Sequence, residues 1–383
     1  MPITQPILLP ELNLAGNPIL AKIYCGDSVS KRWRIIRHIE ADPFFEVLYE
    51  GLVYTRLDTY AEINISSIFE ELKRVSGIHT FEFQLNNDNG NFTNYSSQAI
   101  SVYGGGISKL LQRKLAKLNS NIFSWKLKDS TANFLLSTRT NNDVLSVPEN
   151  ELIPFGYYAK GHKFYIKADG DTVATYDHSL DQDESLQYID FAVLRQAYAI
   201  ASNKLVSVFD IVTDTSYSFS VIIIEAIQQT EYFLKFRNSW GEWEQIALYG
   251  LLSFSPTIAD GTTVSKWDPQ VNEFADRNNR PSVSNIYTAN TGYRSEADRL
   301  FIIDMLLSDT KVFIANGDEY EVKATAELPA VVSTDGTPVN VTLNVELVDK
   351  DSYYGDLKVE STYRVLTKTT LENITSGNAD ILV

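Results

Sequence analysis

Among 383 residues there is one cysteine, Cys25, and there are four histidines. A lone cysteine excludes an intramolecular disulfide and the multi-cysteine zinc sites, and it fits folding in a reducing compartment. His38, His79, His162 and His178 share no i,i+4 or Cys-x-x-Cys-type spacing, so neither a metal nor another cofactor is expected. Basic residues are also in deficit: 33 Lys and Arg face 49 Asp and Glu, leaving a net charge of −16. A phosphate-binding surface needs a basic patch, so nucleic acid is not expected as the main partner. The clusters Lys31, Arg32, Arg34, Arg37 and Lys109, Arg113, Lys114, Lys117 read as solvated faces. No apolar run reaches roughly 18 residues, so no membrane span is expected. The opening MPITQPILLPELNLAGNP has no basic region and is broken by prolines, unlike a signal peptide.

Aromatic and β-branched residues are plentiful. With 21 Tyr and 19 Phe beside many Val, Ile and Thr, the composition points to a mainly β chain. At roughly 100–200 residues per domain, two or three β-sandwich-like domains with a few short helices are expected. Residues 1–120 read as an N-terminal β domain with a helical end and 121–253 as a middle β-sandwich. Residues 254–383 read as a C-terminal α+β domain.

Local signals refine this. VLYEGLVY suggests a hairpin turning at Glu50-Gly51. NISSIFEELKRVSG suggests a short helix capped by Ser66 or Ser67, with Glu70 and Glu71 in its first turn and Gly77 at its end. Ile107, Leu110, Leu111, Leu115 and Leu118 have helical spacing. Gly104-Gly105-Gly106 precedes them without a phosphate-loop pattern and reads as a flexible turn. A helical turn is expected near Leu194–Ala201, among strands. Phe254 to about Ser284 reads as a connection or long loop. GYRSEADRLFIIDMLLSD predicts a buried helix over 295–308, with Ser295 as cap and Glu296 and Asp298 in its first turn. Asn316-Gly317 predicts a tight hairpin, and Val339, Val341, Leu343, Val345 and Leu347 alternate as one buried strand face.

Chemical motifs are scarce. Asn238-Ser-Trp-Gly matches the stretch in papain-like proteases whose Asn orients a catalytic His. Here the nearest preceding histidine is His178, and Cys25 lacks the Cys-Gly-Ser-Cys-Trp context, so a tight turn is the expected reading. DQDESLQ (Asp181–Gln187) and NNDNGN (Asn86–Asn91) lack the spacing of calcium loops and read as solvated turns. A carboxylate pair for glycoside hydrolysis needs no sequence proximity, so a glycan-active enzyme stays as a third reading behind two non-enzymatic ones. Trp240, Trp243 and Tyr249 suit either a core or subunit contact or a sugar-binding platform.

The order of GNPILAKI, INISSIFEEL, YFLKFRNSWGEWEQIALYG and GYRSEADRLFIIDMLLSD resembles that in tail and baseplate structural proteins of phages infecting Bacteroidetes. The resemblance implies a virion tail component, made in the host cytoplasm, that is not an enzyme. It would act by protein–protein assembly in a baseplate, tail hub or collar ring, with copies of itself and other tail proteins as partners. Asn17, Pro18, Trp240, Trp243 and Tyr249 are the expected contact residues. A carbohydrate-binding adhesin or receptor-binding module, with a host surface glycan as partner, is the alternative.

Overall fold

The computed structural model describes residues 6–349 except 11, 25–29, 40–43, 55–59, 76, 87–91, 118–134, 140–143, 159–160, 181–185, 198–205, 214–216, 227, 229, 260–262, 271, 279–281, 295–297 and 327–338. Cys25, Leu118, most of both calcium-like turns and the expected cap Ser295 lie outside the described residues.

The chain is mainly β. Its first strands are β1 (Ile7–Leu8), β2 (Leu12–Leu14), β3 (Leu20–Tyr24), β4 (Ser30–His38), β5 (Phe45–Tyr54), β6 (Tyr60–Asn64), β7 (Ile78–Asn86) and β8 (Tyr95–Tyr103). They form a three-stranded sheet, β1-β3-β6, and a five-stranded sheet, β2-β8-β7-β4-β5. Period-2 burial explains the packing: Ala21 and Ile23 from the small sheet meet Trp33, Ile35, Phe81, Phe83 and Leu85 from the large one. A 3-10 helical segment, Ser66–Arg74, adds Phe69 to this core. No serine hydroxyl caps it; the Ser66 N–H donates to Asn64 Oδ1 at 3.1 Å, and its first turn holds no acidic residue.

The expected turn at Glu50-Gly51 is absent. β5 runs unbroken along β4, with Gly51 opposite Trp33. The Trp33 indole stacks on Phe83 and Tyr49, and a Cβ on Gly51 would stand 2.9 Å from it. This glycine makes room for a ring. β5 is also the outermost strand of its sheet and leaves Phe45, Val47, Tyr49, Leu52 and Tyr54 exposed.

Helix α1 (Lys109–Lys117) leads to the second group: β9 (Val144–Pro148), β10 (Phe155–Tyr158), β11 (Lys163–Ala168), β12 (Asp171–Asp177), β13 (Leu186–Ile189), β14 (Val206–Thr213) and β15 (Ser218–Ile224). The sheet order is β12-β11-β14-β15-β9, covered by the pair β10–β13 and by helix α2 (Phe191–Ala197). Helix α2 starts earlier than expected because Asp190 caps it, accepting from the N–H groups of Ala192 and Val193 at 3.0 and 3.1 Å.

The third group is β16 (Tyr232–Arg237), β17 (Trp243–Ala247), β18 (Tyr249–Ala259), β19 (Thr263–Asp268), β20 (Glu273–Asn278), β21 (Ser282–Arg294), helix α3 (Asp298–Leu307), β22 (Lys311–Ala315), β23 (Asp318–Ala326) and β24 (Val339–Leu347). Seven strands form one antiparallel sheet, β17-β16-β22-β23-β24-β21-β18. The line drawn at 253/254 falls inside β18 and inside this sheet. β22 and β23 join at Asn316-Gly317, both with positive φ as a tight hairpin requires. Helix α3 buries Phe301, Ile302 and Met305 in the sheet's core, but Leu300 and Leu307 are 70% and 78% exposed, so only one face of it is covered.

The segment Phe254–Ser284 is not a loop. It is an arm of paired strands: β18 runs along β21 as far as Ala259 and Ser282, and β19 pairs with β20 beyond. Ser253–Ile258 and Thr263–Trp267 are all exposed. A ribbon wet on both faces has no alternation to read.

If Gly51 serves the Trp33 stack, Gly51→Ala should destabilise the chain by about 1–3 kcal/mol through overpacking, read as a lower urea midpoint. An unchanged midpoint would return Gly51 to a solvent-exposed turn.

Candidate functional site

Three of the conspicuous sequence stretches meet at one point. Gly16-Asn17, Gly104–Ile107 and Asn238–Gly241 lie backbone against backbone. The Gly16 N–H donates to Gly105 O and the Gly106 N–H to Ser239 O, each at 2.7 Å. A Cβ on Gly105, whose φ is +97°, would lie 2.5 Å from Gly241 N; one on Gly241, φ +77°, would lie 2.7 Å from the Gly104 backbone. A Cβ on Gly104 would be 1.9 Å from Val75 O. The triple glycine is therefore a packing surface, and the expected flexible turn is corrected on that ground.

Asn238 organises the turn. Its Oδ1 accepts from the N–H groups of Trp240 (2.9 Å) and Glu242 (3.0 Å). Its Nδ2 donates to Leu136 O (2.8 Å) and Glu244 Oε1 (2.6 Å). Every capacity of this amide is spent on the turn and its neighbours, and no histidine is among them. Ser239 fastens the turn to helix α3, its N–H donating to Asp304 Oδ2 at 2.8 Å and its hydroxyl to Asp304 Oδ1. Trp240 enters a small apolar cluster with Leu14, Tyr103, Leu115 and Leu136, which come from the other two groups of strands.

Beside this lies a buried charge network. Arg139 donates to Glu151 (2.6 Å), to Glu244 (3.3 Å) and to Gln245 O, and its guanidinium stacks 3.7 Å from the Phe301 ring centre. Arg294 also pairs with Glu151, which in addition accepts from the Ala247 N–H at 2.7 Å. Burial pushes the Glu151 carboxyl up, but the two guanidiniums outweigh it and hold it below the usual range. For Glu244 burial wins over Arg139 and the carboxyl is pushed up. Tyr103 donates its hydroxyl to Glu242 Oε1 at 2.7 Å, and burial pushes both groups above their ordinary values. These acids are held inside the protein by intrachain donors.

The five expected contact residues separate. Asn17 is buried and holds the segment that leads into α1, accepting from the Ile107 N–H (2.8 Å) and donating to Ile107 O (3.0 Å). Pro18 beside it is exposed. Trp240 is 6% exposed and packs into the chain's own junction. Trp243 lies on the outer strand β17 under the cations of Arg237 (4.6 Å) and Lys235 (4.9 Å). Tyr249 packs at Gly292, and its hydroxyl accepts from Asn150 Nδ2 at 3.1 Å. Trp240, Trp243 and Tyr249 do not form a shared platform.

His38 pairs with Glu82 and His178 with the Tyr157 hydroxyl, in different sheets. Among the described residues no three His, Cys, Asp or Glu side chains converge on a metal-sized position. No helix there is long and apolar enough to cross a membrane. The feature that sequence reasoning missed is the arm, whose exposed Trp267 and Phe274 rings meet edge-on at 5.3 Å. Its one signal was Trp and Phe placed symmetrically about Pro269–Asn272. No protein-family model matches the chain, and no curated protein matches it in sequence.

Two outcomes check the junction. Gly105→Ala combines a positive-φ penalty with a backbone clash and should cost at least about 2–3 kcal/mol, seen as a large fall in Tm; a Tm within a degree of the parent would refute the close approach. Glu242→Gln should stabilise the chain at pH 8. An acid whose folded pKa is raised favours unfolding once pH exceeds its unfolded value, and glutamine removes that penalty. The gain should shrink to nothing as pH falls through the ordinary glutamate value of about 4.3. A gain that grew toward low pH in urea titrations would reverse the assignment.

Proposed function

We propose that the chain is a structural subunit of a phage tail (a baseplate, hub or collar-ring component) that works by protein–protein assembly. The arm carries this reading. A two-stranded ribbon alone is marginal in water, yet here it runs through residues 254–284 with Ile258 and Phe274 68% and 70% exposed. Such a ribbon gains stability when a neighbour covers it, and exposed aromatic pairs are the side chains that anchor protein interfaces.

Charge favours a second copy as that neighbour. Copies carrying −16 repel one another. Residues 254–284 hold four acidic residues (Asp260, Asp268, Glu273, Asp276) and three basic ones (Lys266, Arg277, Arg280), so the arm carries only −1 of the total charge. It is a part of the surface that copies can share with little repulsion. The sequence resemblance to phage tail and baseplate proteins supplies the setting, and the internal use of the buried acids supports a role without catalysis.

Light scattering after size exclusion, across a concentration series, tests this. The parent chain should reach a discrete ring-sized species. Replacing both tip aromatics, Trp267→Ser with Phe274→Ser, should weaken association at least about tenfold and leave Tm unchanged, because neither ring belongs to a core. A parent that stays monomeric throughout, or an oligomer indifferent to the double substitution, would count against the arm as the contact.

A further inference from the structure

At the root of the arm is a cavity of about 400 Å³, within the roughly 300–1,000 Å³ of small-molecule sites. It lies where β18 and β21 pass the end of β15 and the strand β9. Both arm strands are irregular at this level. The register of β18 on β21 shifts between Tyr249 and Ser253, and that of β21 on β24 shifts between Asn290 and Tyr293. Gly250 and Gly292 have positive φ within these shifts, and a Cβ on Gly292 would come 2.8 Å from the Tyr249 ring. Bulges of this kind re-aim side chains and recur beside binding sites.

The lining has a definite chemistry. Tyr249 and Tyr293 offer aromatic surface, and Tyr293 is 72% exposed at the rim. Gln228, Asn290 and Asn340 offer amides that both donate and accept, and Glu225 and Asp298 add carboxylates. The guanidinium of Arg294 is already paired with Glu151, so it does not serve an anion. The two remaining lining charges are negative, which disfavours acidic ligands.

Aromatic faces for C–H surface, with amides and carboxylates for hydroxyls, suit an uncharged polyhydroxylated ring. We propose that this cavity binds a neutral sugar residue. The site differs from an aromatic platform on the Trp240–Tyr249 hairpin, since Trp240 is buried elsewhere, and it is independent of whether the arm pairs with a second copy.

Saturation-transfer NMR on the full chain tests it, using glucose, galactose, mannose and N-acetylglucosamine with sialic acid as the acidic comparison. At least one neutral sugar should show saturable transfer, and sialic acid none. Tyr293→Ala and Gln228→Ala, both at exposed side chains, should each reduce affinity about fivefold or more, while Tyr54→Ala, on the distant edge strand, should not change it. The methyl glycosides separate the two sources of the ligand: binding retained with them points to the end of a glycan chain, and binding lost with them to a free sugar. No transfer from any neutral sugar, equal transfer from sialic acid, or affinity unmoved by Tyr293→Ala and Gln228→Ala would overturn the proposal.

Discussion

Where Gly105 lies against Gly241 there is no room for a β-carbon on either residue. That contact sets how close the first group of strands comes to the third. The Gly106 N–H and the Trp240 ring both take their partners across the same close approach. Lengthening it by the width of a methyl group would pull Trp240 from its apolar cluster and separate Tyr103 from Glu242. The backbones can meet because glycine leaves them bare, and Asn238 holds the turn in a shape that presents Gly241.

The second group of strands is tied in by charge. Arg139 and Glu151 belong to it, Glu244 and Arg294 to the seven-stranded sheet, and all four are buried. A buried ion pair gains little net stability after desolvation, but removing one partner costs about 3–5 kcal/mol. The value of this network lies in orientation. Glu151 accepts from two guanidiniums and a backbone N–H, and only one placement of the two groups satisfies all three. The apolar cores cannot do this, because burial has no direction.

How much could be read in advance depended on whether the cause was local. The Asn316-Gly317 hairpin was legible because turn chemistry resides in two residues. The buried face of β24 was legible through strict alternation. Gly51 was misread because its reason is the Trp33 ring on the next strand. The triple glycine was misread because its reason is a turn more than 130 residues later. The arm was invisible as structure because both its faces meet water and leave no periodicity. At the candidate sites the residue types drew notice early, but aromatic content alone does not distinguish Trp240, which is buried, from Tyr293, which is exposed.

The junction also imposes an order in time. Tyr103 and Glu242 are 139 residues apart in the chain. During synthesis at about 5–20 residues per second, the first sandwich waits roughly seven to twenty-eight seconds before its closing turn exists. Until then Leu14, Tyr103 and Leu115 have no Trp240 to cover them. The nascent chain thus carries an unsealed apolar seam while the remaining strands are made, and this joint can close only after the ribosome has passed residue 242.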